Sequence, residues 1–207
     1  MKPRTKRSGF TLVEIVVSLM IFSIVAVVAL TALVTIINSN AKAQSLESSM
    51  TNMDFIMDAM SRELRVGKYY YCASSADGSL PLTNSDTNPL RAQNCPLGQT
   101  PNLIAFQSNT TASSDPNCPL VYAYYFAGSG SSYTLEKAEQ TACGQSFSPS
   151  SYSPILDPAI TLTNYSLSVS SQAYPLVSVQ LSGYVTAGKQ KNQSYFNLET
   201  AMSQRIQ

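Results

Sequence analysis

The chain has no histidine and no tryptophan among its 207 residues, and only 12% of them are charged. Without histidine it lacks the side chain that most often serves as a general base or metal ligand near neutral pH. A phosphate-cradling glycine loop and a Gly-x-Ser-x-Gly nucleophile turn are missing too. With no catalytic constellation, the chain reads as a non-enzyme that needs no cofactor. Glycine and proline are absent from Phe10 to Val66, so nothing there breaks a helix. Acid is absent from the first nine residues, where Lys2, Arg4, Lys6 and Arg7 stand. The remainder holds nine basic and twelve acidic residues, a net of −3, which makes nucleic acid an unlikely partner.

What is present begins with an apolar run. Ile15 to Ile37 spans twenty-three residues without a charge. At helical rise that is about 35 Å, enough for the ~30 Å hydrocarbon core of a bilayer. A lone acid, Glu14, stands at its mouth. Burying an unpaired carboxylate costs several kcal/mol, so this residue needs a partner. The basic start and the run together place the N-terminus in the cytoplasm and everything after Ile37 outside it. Two plainer readings compete. Ala41-Lys42-Ala43 matches the small-x-small site of a secretory signal, but the apolar run is longer than the ~7–15 residues such signals use. A simple single-pass anchor leaves Glu14 without a purpose.

Lys6-Arg7-Ser8-Gly9-Phe10-Thr11-Leu12-Val13-Glu14 resembles the processing site of type IV pilins and pseudopilins. The resemblance covers about the first thirty residues. It implies that a prepilin peptidase cuts between Gly9 and Phe10 and methylates the new amine of Phe10. It also implies assembly with other pilin or pseudopilin subunits by an inner-membrane platform, after storage in the lipid bilayer. Glu14 would meet the free amine on the first residue of a neighbouring copy, which both selects the partner and sets its register.

The Phe10–Val66 span predicts one continuous helix of roughly 85 Å. Its second half carries an apolar stripe, Leu46, Met50, Met53, Met57, Met60 and Leu64, with Phe55 and Ile56 widening it. The methionines could be read as a soft-metal site, but leucines continue the stripe at both ends and argue for packing against a sheet. Arg62 and Arg65 suit the helix C-terminus, and Gly67 stands where a capping glycine belongs. Gly67 to Gln99 reads as a connecting region, punctuated by Asp77-Gly78, Pro81, Asn88-Pro89 and Pro96. Tyr69-Tyr70-Tyr71 within it is either a short strand or an exposed patch.

Strand signals follow at Leu103–Gln107, Leu120–Ala127 and Ser132–Ala138, the last two joined by a turn about Gly130. Ala159–Ser170, Leu176–Val185 and Ser194–Met202 form an antiparallel meander. The fold class is α+β, a long N-terminal helix on a C-terminal antiparallel sheet, and this order resembles the pilin fold. The units expected are a leader at 1–9, removed; a membrane and assembly half-helix at 10–37; an amphipathic half at 38–66; and a β-rich domain at 67–207. The tail from Tyr195 to Arg205 is similar to that of the larger minor pilins and J-type minor pseudopilins.

Four cysteines, Cys72, Cys95, Cys118 and Cys143, all fall in the part expected outside the cytoplasm, where an even count suggests two disulfides. Folding the hairpin about Gly130 brings Cys118 nearly opposite Cys143 and leaves Cys72 for Cys95, although sequence permits all three pairings. Zinc is disfavoured, because at least 22 residues separate successive cysteines. Asp77, Asp86 and Asp115 lack calcium-loop spacing, and the glycosylation triplets at Asn109, Asn164 and Asn192 are expected by chance in so Ser- and Thr-rich a chain. The alternative to a filament subunit is a membrane-tethered module that binds a surface, glycan or DNA through Tyr69–Tyr71 and Tyr122–Phe126.

Overall fold

A computed structural model of the chain describes residues 9–74, 101–112, 115–140, 147–170, 175–186 and 193–203. It is α+β. One helix, α1 (Leu12–Val66), precedes the strands β1 (Lys68–Ala73), β2 (Leu103–Ala112), β3 (Asp115–Ser129), β4 (Ser132–Glu139), β5 (Ser153–Pro154), β6 (Ile160–Val169), β7 (Leu176–Thr186) and β8 (Gln193–Ser203). The chain divides into two compact units, residues 1–44 and 45–207, and α1 runs through the boundary.

In the second unit the strands form one open antiparallel sheet in the order β1-β2-β3-β4-β6-β7-β8, with β5 beside β4. The helix segment after Ser45 covers one face. Met53, Ile56, Met60 and Leu64 are buried there, and Leu46 and Met57 pack at the margin. Fully burying such a side chain is worth about 1.5–3 kcal/mol. Two stripe positions depart from expectation. Met50 is 46% exposed at the edge, and Phe55, expected to widen the stripe, is 72% exposed. The cause is angular. At about 100° per residue Ile56 lies about 60° from Met53, whereas Phe55 lies about 160° from it and faces away from the sheet.

Gly67 ends the helix as expected, its N–H donating to the Glu63 carbonyl at 3.0 Å. The left-handed backbone position is not Gly67, however, but Tyr69, at φ 56. Glycine is needed at 67 for space: a Cβ there would lie 2.5 Å from the Phe106 ring. The chain then enters β1 directly, so the first residues of the expected connecting region are sheet. Tyr70 points inward, and its hydroxyl donates to the carbonyls of Leu64 and Gly67, tying β1 to the helix end. The rest of that region, with Asp77, Asp86 and Cys95, lies outside the described residues, as do Cys143 and Asn192. Cys72 is disulfide-bonded. Its partner is not among the described side chains, since that of Cys118, in β3, is also outside them.

β2 and β3 run beyond the expected ends, to Ala112 and back to Asp115. Ser129 pairs with Ser132, leaving Gly130-Ser131 as the loop, with Gly130 at φ 68. That positive φ at the first central residue suits a two-residue hairpin. β2–β4 are buried on both faces. Ile104, Phe106, Tyr124 and Phe126 face the helix, while Leu103, Ala105, Val121, Ala123 and Ala138 form a second small core under Phe147 and Tyr152. The meander β6–β8 joins β4 through a single register pair, Tyr133 with Leu162. Rings reinforce this seam: Phe126 stacks on Tyr165 at 4.1 Å, and Tyr133 meets Tyr165 edge-on.

One ionic contact fastens helix to sheet. Glu63 accepts from Lys137 Nζ at 2.6 Å and from the Tyr124 hydroxyl at 2.7 Å, and Lys137 also lies 4.7 Å over the Tyr122 ring. Substituting Glu63→Gln should destabilise the second unit by roughly 2 kcal/mol, since hydrogen bonds to charged groups contribute about 1.5–3; urea unfolding of wild type and variant measures it. Burial pushes the Tyr70 hydroxyl up to about 12. Tyr124 is raised as well, first by burial and then by Glu63. A folded pKa above the ordinary value of about 10 adds stability below pH 10 and loses it as pH climbs toward 12. The fold should therefore hold through pH 10 and weaken progressively between 10 and 12, with late-titrating tyrosines seen at 295 nm and strand signal by circular dichroism lost only toward the upper end.

Candidate assembly site

Gly9 and Phe10 are exposed and precede the helix, so the bond between them lies in non-helical chain. A Cβ at Gly9 would meet nothing within 4 Å. Nothing in the described residues packs over this bond, and a peptidase can take it without unwinding a helix. Phe10 was expected to open the helix; Thr11 does so instead. Its carbonyl accepts the first helical bond, from Ile15 N at 3.3 Å, and its Oγ1 accepts from Glu14 N at 3.3 Å. Thr11-Leu12-Val13-Glu14 is thus the Ser/Thr-x-x-Glu pattern of a helix start. That pattern was readable in the sequence and was missed.

The cap supplies a second reason for an acid at position 14. The first turn of a helix favours a negative charge through the exposed amides and the dipole. Glu14 forms no ion pair among the described residues. A carboxylate held at a helix start and paired with no described cation can accept one from outside.

Beyond it the helix is uncovered. Its apolar stretch is not buried by any described residue, and α1 is long and apolar enough to cross a membrane. Its polar groups suit that solvent. Between Leu12 and Ile37 the hydroxyl residues are Ser18, Ser23, Thr31 and Thr35. Each donates to a carbonyl of its own helix, at 2.7, 2.8, 2.8 and 2.9 Å. No hydroxyl donor is left to be desolvated unpaired.

A family model described as the prokaryotic N-terminal methylation motif matches residues 4–30. The chain carries the pilin and pseudopilin fingerprint. The match covers the start of the chain alone; the architecture behind it is one long N-terminal apolar helix followed by an open antiparallel sheet. No curated protein and no solved structure matches the chain.

The remaining candidate residues fall elsewhere. Tyr70, Tyr124 and Phe126 are core, which takes three of the seven rings that a binding module would use out of its surface. Met53 and Met60 are buried among hydrophobic side chains. Among the described residues no group of three His, Cys, Asp or Glu side chains could hold a metal. Asp115, expected in a loop, begins β3, and Asn109 and Asn164 are exposed. Removing the cap tests its share of the site. Thr11→Val should cost the helix start about 1 kcal/mol, read as faster amide exchange confined to residues 12–15 in detergent or lipid.

Proposed function

We propose that this chain is a structural subunit of a type IV pilus or related pseudopilus, and a minor one that primes or caps the filament. One observation carries the reading: a carboxylate with no ion pair among the described residues, in the first turn of an apolar helix that no described residue covers, four residues after an exposed Gly9–Phe10 bond. Prepilin peptidase removes residues 1–9 and methylates Phe10. Before assembly the helix anchors the chain in the cytoplasmic membrane, N-terminus inside and β-rich domain outside. During assembly the platform lifts the chain from the bilayer, and neighbouring helices replace lipid around residues 10–37. Glu14 then pairs with the amine of a neighbour's Phe10. In a dry interface that pair is worth far more than in water. Similarity of the C-terminal tail to minor subunits supports the priming position.

Two disulfides brace the outer domain in this reading. The β3–β4 register pairs Tyr122 with Glu139, and Gln140 N donates to the Val121 carbonyl at 3.0 Å. That register supports the proposed Cys118–Cys143 bond. Cys72, already bonded, is then left with Cys95.

Mass spectrometry of the mature chain should find methyl-Phe10 at its start. Finding Met1 or Gln44 there instead would refute processing at this site. Glu14→Gln should leave membrane levels unchanged while incorporation into sheared filaments falls roughly tenfold or more, the ratio that each 1.4 kcal/mol of lost pairing gives. Wild-type incorporation of this variant would refute the role of the carboxylate.

A further inference from the structure

In the second unit β6, β7 and β8 turn their apolar rows toward the helix. The register rules their other face into cross-strand rows, from Thr161–Tyr184–Tyr195 to Ser168–Ser178–Ala201. No residue of these rows is buried. Their side chains are hydroxyls and amides, with Ala201 the one apolar and Glu199 the one charged member. Along the outer edge, β8 sets Gln193, Tyr195 and Asn197 in line on this face. Two residues of strand separate each from the next, about 7 Å. Tyr195 is 74% exposed, yet it is braced. Its ring meets Tyr184 edge-on at 5.9 Å, and its hydroxyl donates to Gln193 Oε1 at 3.0 Å. Asn197 Oδ1 accepts from Ser182 Oγ at 3.1 Å. Both amides thus use an oxygen within the face, and no described residue accepts from their N–H groups.

We infer that this row binds a neutral polysaccharide, with one sugar ring on Tyr195 and its hydroxyls on the amides of Gln193 and Asn197. The C–H face of a pyranose is apolar and faintly positive, and it lies against the negative face of an aromatic ring. The hydroxyls around its rim need donors at fixed places. An exposed ring with an amide about 7 Å to either side along one strand offers both. Neighbouring hydrogen bonds already hold these side chains, so little of their freedom is lost on binding. Charge decides against other polymers. Nucleic acid, sulfated sugars and anionic headgroups would meet Glu199 and find no cation in these rows. A neutral chain of hydroxyls meets a face of its own polarity. The face is flat and open, so it holds one sugar weakly and a polymer that offers many of them better. The inference concerns the second unit alone and holds whether or not the chain enters a filament.

The test uses the purified full-length chain in a polyoxyethylene detergent, which has no sugar headgroup to compete. Insoluble cellulose, chitin and starch are the probes. At least one should deplete the chain from solution, equally at low and at about tenfold higher salt. Tyr195→Ala should weaken binding about fivefold, and Tyr195→Phe should keep most of it, because the ring makes the contact. Asn197→Ala, which removes one hydrogen bond, should weaken it about threefold. Urea unfolding of these variants should match wild type, because both side chains are exposed. The inference is overturned if none of the three polymers retains the chain, or if Tyr195→Ala is retained like wild type. Retention that disappears at the higher salt marks an ionic contact and overturns it too. So does a Tyr195-dependent dimer formed without polymer, which makes the face a protein interface.

Discussion

A helix that is apolar on every side can be covered only by lipid or by other helices, whereas one with a single apolar stripe can be covered by one sheet. α1 is the first kind up to about Ile37 and the second kind from about Leu46 onward. The rest of the molecule follows from that change of solvent within one element. The sheet places its helix-facing rows, Ile104, Phe106, Tyr124 and Phe126 with Val177, Val179 and Leu181, against the stripe. No strand, and no other described residue, covers the segment before it. A helix needs no partner for its backbone, so α1 can pass from one environment to the other without losing a hydrogen bond.

Two acids on this helix show how position decides what a charge requires. Glu14 stands in the first turn, where exposed amides favour it, and forms no ion pair among the described residues. Glu63 stands in the last turn, where the exposed carbonyls of the helix end disfavour an anion. It is the one that holds Lys137 and the Tyr124 hydroxyl. The same contact sets the helix on the sheet, because an ion pair at 2.6 Å tolerates little sliding. A methionine-rich stripe would tolerate more, since methionine adapts its shape to its neighbours.

Phe55 and Tyr69 mark where reading along the chain fails. Phe55 belongs by composition with Ile56, yet one residue is 100° of helix, and the sheet reaches only one of the two. Tyr69-Tyr70-Tyr71 was undecidable because a run of identical residues has no alternation to read. The register shift in β1 between Lys68 and Tyr71 decided it, turning Tyr70 alone inward. The strands missed or shortened in prediction, β1 and the outer ends of β2 and β3, are polar or tyrosine-rich segments. Pairing with a neighbour holds them rather than their own pattern.

The N-terminal methylation motif, the apolar half-helix, the stripe from Leu46 to Leu64, the β3–β4 hairpin and the meander β6–β8 were all set locally. Helical and strand periodicity and the Gly9–Phe10–Glu14 spacing depend only on residues near in sequence. Tertiary structure alone decided that β1 joins the sheet, that Phe147 and Tyr152 cover its second face, that Glu63 meets Lys137, and that Phe55 is left outside. Each of these depends on which distant segment arrives opposite, and a one-dimensional pattern carries no record of that.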